Sequence, residues 1–166
     1  MSRSIWAEIR ARTDEHLHMH AVRRSSERVD ATAEVFTPTE LVVLMLERVG
    51  IDALGPGRTV LDPACGDGQF LAAAKWVKVI AHGMSENDAL EDIYGIDIMR
   101  DNVDLCRKRL GGGTILMGDA LAPETRLEGQ TQFEHAQMRD IFSLSSVTEL
   151  PRPARKPLPA RDRRAA

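Results

Sequence analysis

Apolar residues in this chain fall into short runs that alternate between helical and strand spacing. Residues 4 to 30 read as helical, with Ile5, Trp6, Ile9, Leu17 and Val22 forming an irregular apolar stripe. Thr37-Pro38-Thr39-Glu40 reads as a helix start: Thr37 as N-cap, Pro38 at the first helical position and Glu40 as capping-box partner. A strongly apolar helix follows from Leu41 to Val49. Gly55-Pro56-Gly57 predicts a turn and Thr59 to Leu61 a first strand. Gln69 to about His82 is the next helix, with Phe70, Leu71, Ala74, Val77 and Ile80 apolar. Gly83 to Asp88 reads as a loop, Ile93 to Ile98 as strand two, and Val103 to Leu110 as part of a second helix. Gly111-Gly112-Gly113 ends that helix, and Thr114 to Met117 is strand three. Strands alternating with helices at this spacing predict an α/β fold with a parallel βαβαβ sheet and right-handed crossovers. After Leu121 the pattern fades. Glu124 to Phe142 reads as one polar helix carrying Leu127, Phe133, Met138, Ile141 and Phe142.

Between strand one and its helix lies the stretch Val60-Leu61-Asp62-Pro63-Ala64-Cys65-Gly66-Asp67-Gly68-Gln69-Phe70-Leu71. Glycines at alternate positions let backbone approach a ligand, because glycine lacks a Cβ and tolerates positive φ. The helix beyond presents unpaired N–H groups and a positive dipole end. Two phosphate-binding features are missing: no lysine follows the last glycine, and the spacing is not that of a dinucleotide loop. Asp67, inside the loop, would repel a polyphosphate. A ligand that pairs a carboxylate with a cation suits the loop better, and S-adenosylmethionine (SAM) carries both. A plain strand–turn–helix junction is the alternative. In an open parallel sheet the ligand sits beyond the carboxyl ends of the strands. Asp62, Asp97 and Asp119 each fall at or just past such an end, so three carboxylates would gather in one acidic crevice. A helix cap for Asp97 and a turn role for Asp119 are the alternatives there.

At 166 residues the chain can build one domain of ordinary size. Its N-terminus is charged and lacks the apolar core of a signal peptide. No run approaches membrane-spanning length, so no membrane partner is expected. The two cysteines, Cys65 in the loop and Cys106 in a predicted helix, make no disulfide framework and fit a reducing cytoplasm. The net charge of −3 hides a split: residues 36 to 121 carry eight basic and thirteen acidic residues, residues 151 to 166 six basic and one acidic. The acidic centre does not fit a general nucleic-acid platform but suits a sulfonium cation. The Pro/Arg-rich tail could reach phosphates, although its composition reads first as a solvated, disordered terminus. His16 and His20 share a helix face at i, i+4 spacing, which could hold a metal. No cysteine or acidic pattern completes that set, and no metal site is expected.

With its neighbours, the glycine loop resembles the adenine-N6 DNA methyltransferases of restriction–modification systems. Four segments match in order: Phe36-Thr37-Pro38 is similar to the family's F-T-P motif, and Asp62 to Phe70 to its D-P-A-C-G-x-G-x-F loop. Tyr94-Gly95-Ile96-Asp97-Ile98 resembles the acidic second-strand motif, and Gly118-Asp119-Ala120-Leu121 the G-D-A-L motif after strand three. F-T-P ahead of the loop is the gamma-class order. The resemblance implies a Rossmann-like SAM-dependent methyltransferase sheet, incomplete here, and a cofactor site made of Thr37, Asp62, Ala64, Gly66, Gly68, Asp97, Ile98 and Asp119. Thr37 would meet the methionine end, Asp97 both ribose hydroxyls, Ile98 the adenine face and Asp119 its exocyclic amine.

The family's catalytic [N/D/S]-P-P-[Y/F/W] motif does not occur: no asparagine follows Asn102, and the one tyrosine is Tyr94. No catalytic residue is therefore assigned. The expected organisation is an N-terminal helical segment at 1–33, a SAM-binding domain at 34–121, a helical extension at 122–150 and a basic tail at 151–166. The expected function is SAM binding within an adenine-N6 DNA methyltransferase that meets DNA as a complete enzyme and takes its catalytic motif from a partner. The alternatives are an inactive SAM-binding protein acting in regulation or against restriction, and a truncated methyltransferase remnant. Strand one should be central in the full sheet, yet nothing in sequence covers its far side. An open apolar strand edge invites pairing, so a partner chain, self-association or a covering C-terminal helix is expected.

Overall fold

The computed structural model describes residues 4–15 and 37–145. His16, His20, Phe36 and the basic tail lie outside the described residues. Three short strands form a parallel sheet: β1 (Val60–Asp62), β2 (Ile93–Asp97) and β3 (Thr114–Met117), in the order β1-β2-β3. Val60 stands opposite Ile93, and Tyr94 opposite Thr114. The helices are α1 (Ile5–Asp14), α2 (Thr39–Val49), α3 (Gln69–His82), α4 (Glu86–Glu91), α5 (Arg100–Leu110) and α6 (Gln132–Ser145). This is an open α/β sheet, the Rossmann-like arrangement expected, with three strands among the described residues.

The alternation of side chains along each strand explains the layering. Ile93, Ile115 and Met117 meet Leu71, Ala72 and Ala74 of α3 and Val103, Cys106 and Leu110 of α5 on one face. Ile96 and Leu116 point the other way, onto Met138, Ile141 and Phe142 of α6. On the outer side of α3, Ala73, Trp76 and Val77 receive Ile9 of α1 and Val42, Val43 and Leu46 of α2. Helix α3 is thus covered on both sides, which accounts for its nearly unbroken apolar sequence.

Three elements depart from the pattern read in sequence. Helix α2 begins at Thr39, with Pro38 as its extended cap residue and no side-chain cap. The expected capping box does not form: the helix starts one residue later, so Pro38 takes the cap position in place of Thr37, and Glu40 contacts Arg10 instead. The stretch expected as a loop at 83–88 instead opens α4, because Ser85 Oγ accepts from the Asp88 N–H at 3.1 Å. Helix α6 starts at Gln132 rather than Glu124. Its true start is a capping box in which Thr131 Oγ1 accepts from Glu134 N and Glu134 Oε2 accepts from Thr131 N.

Two buried charges tie these layers together. Lys78 is fully buried, and its Nζ donates to Gly55 O, Arg58 O and Asp92 Oδ2 at 2.9, 2.7 and 2.9 Å. It joins α3 to the turn before β1 and to the start of β2. Lys78→Met removes all three bonds and leaves Asp92 without its cation, so urea unfolding should show a loss of about 3 kcal/mol. Glu134 joins α6 to α5 through Arg100 and Arg107, at 2.7 and 2.8 Å. The Arg100 guanidinium holds the Glu134 carboxyl well below the usual range, against the opposing effect of burial. A depressed folded value means stability that is present above the unfolded carboxylate value of about 4.3 and is lost as pH falls below it. Glu134→Gln should therefore cost about 1–2 kcal/mol at neutral pH, the arginines being half-exposed and screened. In thermal melts that difference should shrink steadily below about pH 4.

Candidate functional site

The site is built where β1 and β2 stop. Just past Asp62 the chain turns through the glycine loop, and Cys65 N–H reaches across to Ile96 O at 2.9 Å, seating the loop over the end of β2. Gly95 makes that seat possible. A Cβ there would come within 2.7 Å of Leu71 Cδ1 and 3.0 Å of Cys65 Sγ.

Two hollows open at these strand ends. The smaller, about 150 Å³, is lined by Thr37, Asp62, Ala64, Gly66, Gln69 and Phe70 among others. The larger, about 300 Å³, is lined by Ala64, Asp97, Ile98, Gly118, Asp119 and Leu121 among others. Ala64 borders both, so the loop forms the wall between them. Of the residues expected to bind a cofactor, Thr37, Asp62, Ala64 and Gly66 border the smaller hollow. Ala64, Asp97, Ile98 and Asp119 border the larger. Gly68 borders neither.

Each of the three acids is oriented by nearby backbone. Asp62 Oδ1 accepts from Ala64 N at 3.1 Å, and Asp119 Oδ1 from Leu121 N at 2.9 Å. Asp97 does most. Its Oδ2 accepts from Gly66 N at 2.9 Å, and its Oδ1 accepts from Met99 N at 2.8 Å and Asn102 Nδ2 at 3.2 Å. One carboxylate thus pins the glycine loop to β2 and sets the entry into α5. Of about four acceptor positions on an ionised carboxylate, three are taken by these bonds among the described residues. Burial pushes the Asp62 carboxyl above its usual value, the Ala64 N–H opposes this, and the charge of nearby Asp97 adds to the rise. A bound cation would relieve that repulsion.

Asp67 behaves differently from the sequence reading. Its Oδ2 lies 2.9 Å from Arg109 Nη2, both side chains being buried, so its charge is met inside the protein and a polyphosphate would not feel it in full. Arg109 Nη1 also donates to Gln69 Oε1, and Gln69 donates on to Thr39. This buried chain links the starts of α2 and α3 with the end of α5. Sequence reasoning missed Arg109; the available signal was an arginine three residues beyond Cys106, on the apolar face of α5. Cys65 and Cys106 are both free and buried. Hydrogen bonding to Cys106, then burial, pushes the Cys65 thiol far up, so it offers no thiolate nucleophile at neutral pH. Among the described residues no cluster of three or more metal-ligating side chains occurs, and no helix is long and apolar enough to cross a membrane.

Gly68 earns its place by packing. It sits at φ +85°, and a Cβ would come within 2.5 Å of Cys106 Sγ. Gly68→Ala should therefore cost more than the roughly 1 kcal/mol of backbone strain alone. A double-mutant cycle with Cys106→Ala, followed by urea unfolding, should recover the steric part and leave the strain.

Neither the curated proteins nor the solved structures include a match to this chain. The family model described as N-6 DNA Methylase matches residues 20–111, more than half of the sequence. The matched span takes in β1, the glycine loop, β2 and α5, and ends ahead of β3 and Asp119. The four-segment resemblance, the open parallel sheet with its loop at the strand ends, and this match agree: the chain belongs to the N-6 DNA methylase family.

Proposed function

We propose that the two hollows together hold SAM, and that the chain is the cofactor-binding domain of an adenine-N6 DNA methyltransferase. Family membership supports DNA methylation as the function and DNA as the substrate class. The observation that carries the finer reading is the junction of the hollows at Ala64, with carboxylates on either side of it. Where bound, SAM supplies a methyl group on a sulfonium centre. Asp62 faces the smaller hollow and would meet the cationic methionine end, with Thr37 beside it. Asp97 would accept from one ribose hydroxyl rather than from both, as the resemblance implies, because the loop and α5 occupy three of its acceptor positions. Ile98, 52% exposed, would lie against the adenine face, and Asp119 would accept from its amine.

Methyl transfer needs more than this. The adenine amine is a weak nucleophile because its lone pair is delocalised into the ring. Acceptors for its protons and a ring on which the flipped base can stack align it for attack. The sequence carries no [N/D/S]-P-P-[Y/F/W] segment to supply them. A partner chain would supply these groups. The same absence favours a second reading, a SAM-holding protein that transfers no methyl group and acts in regulation or against restriction.

Titration calorimetry tests the cofactor assignment. The 166-residue chain should bind SAM, and Asp119→Ala should weaken it about five- to ten-fold, the worth of one hydrogen bond, with no change in melting temperature. Asp97→Ala should lose both affinity and stability, because it also releases the loop. Absence of binding, or unchanged affinity in both variants, would refute the assignment. Methyl-group incorporation into adenine-containing DNA should be absent for the chain alone. Appearance of activity on adding a chain that bears the missing motif would separate the two readings.

A further inference from the structure

A buried ion pair backs the smaller hollow. Among the described residues its charged lining consists of two carboxylates, Asp62 and Asp67. They are treated differently. Asp67 Oδ2 lies 2.9 Å from Arg109 Nη2, and the Arg109 side chain is 1% exposed. Asp62 meets no cation among the described residues; its Oδ1 accepts from Ala64 N. Arg109 does not itself border the hollow, but it also donates to Gln69 Oε1 there. Gln69 Nε2 donates onward to Thr39 Oγ1, so this lining residue is engaged at both ends of its amide. Stability alone does not account for the pair. Arg109 Nε is buried with no hydrogen-bond partner among the described residues, which costs free energy. A buried ion pair is often no more stabilising than apolar residues of the same volume. What the pair does fix is the charge of the hollow.

We propose that Arg109 is a positioning residue that sets the charge selectivity of the smaller hollow, acting through Asp67. This rests on the reading that the hollows hold SAM, and it concerns the methionine end alone. That end is a zwitterion, with an ammonium and a carboxylate on one carbon. Asp62, whose charge no cation meets, suits the ammonium. A second uncompensated carboxylate beside it would repel the ligand's own carboxylate and favour a ligand whose end is purely cationic. By meeting the charge of Asp67, Arg109 leaves the hollow with one net negative charge. That count matches an ammonium while sparing the adjoining carboxylate. Because both partners are buried, salt screens this balance little. Gln69, held by Arg109 and Thr39, adds bulk to the lining without adding charge.

Calorimetric titration of the 166-residue chain with three probes tests this: SAM, decarboxylated SAM, which keeps the amine but not the carboxylate, and methylthioadenosine, which lacks the amino-acid end. The unaltered chain should prefer SAM to its decarboxylated form. Arg109→Met removes the positive charge and should shift the ratio of the two dissociation constants about five- to ten-fold toward decarboxylated SAM. Asp67→Asn leaves Arg109 uncompensated and should shift the ratio by a similar factor the opposite way. The double variant, with neither charge, should return it close to the starting value. Methylthioadenosine should bind all four chains within about two-fold of one another, since it does not reach the pair. Asp67→Asn keeps the test decisive where the loss of Arg109 prevents folding. Equal losses for SAM and decarboxylated SAM, or shifts of the same sign in both single variants, would overturn the proposal and leave the pair a structural tie. Failure of the unaltered chain to bind SAM would sink the cofactor assignment itself; SAM binding with a ratio that no variant moves sinks this inference alone.

Discussion

A single carboxylate organises the functional end of this molecule. Asp97 stands at the last position of β2, and from there it accepts from the glycine loop after β1 and from the first turn of α5. Those three bonds span two βα junctions that are otherwise separate in sequence. Without them the loop would be held over the sheet by the Cys65 to Ile96 bond alone, and the wall between the hollows on either side of Ala64 would loosen. Because Asp97 is buried, each bond is stronger than its equivalent in water, and loss of the acceptor would leave donors unmet. The acid therefore serves architecture first and offers a ligand what remains.

The layers behind it make that arrangement stiff. Gly95 lets the loop settle on β2, Gly68 lets α5 approach the start of α3, and Lys78 fastens the far end of α3 to the turn before β1. The buried run Thr39, Gln69, Arg109 and Asp67 then connects the N-terminal helical layer to the same loop. Charge is consequently divided within a few residues: Asp67, although it lines the smaller hollow beside Asp62, has its charge met by the buried Arg109, while no ion pair meets Asp62 or Asp119 among the described residues. An acidic count along the sequence does not make this distinction. The geometry does.

Much of this was legible in the chain itself. Helix α3 and strand β3 were readable to the residue, because Gly68, Gly83 and the triple glycine at 111–113 mark their ends and their interiors are apolar. The strand-end acids were found because a parallel sheet places ligands at its carboxyl edge. What escaped was set by tertiary partners. The cap at Thr37 did not form because Arg10 claimed Glu40, its capping-box partner, and the helix began one residue later with Pro38 in the cap position. Helix α4 was hidden in a polar stretch whose one clue was the Ser85 to Asp88 spacing. Helix α6 began late because Thr131 and Glu134, rather than the general polarity from Glu124 onward, define its first turn. The ion pair of Arg109 with Asp67 joins residues 42 apart in sequence, and no local pattern announces it.

The most direct test of the account is a backbone amide map of the chain by nuclear magnetic resonance as SAM is added. Changes should concentrate in three stretches, 62–70, 97–99 and 118–121, while α1 and the residues Arg107, Gly112 and Phe133, which line a different hollow, stay still. Changes centred on the β3 edge, or none at saturating SAM, would contradict a cofactor site held together by the carboxylate at the end of β2.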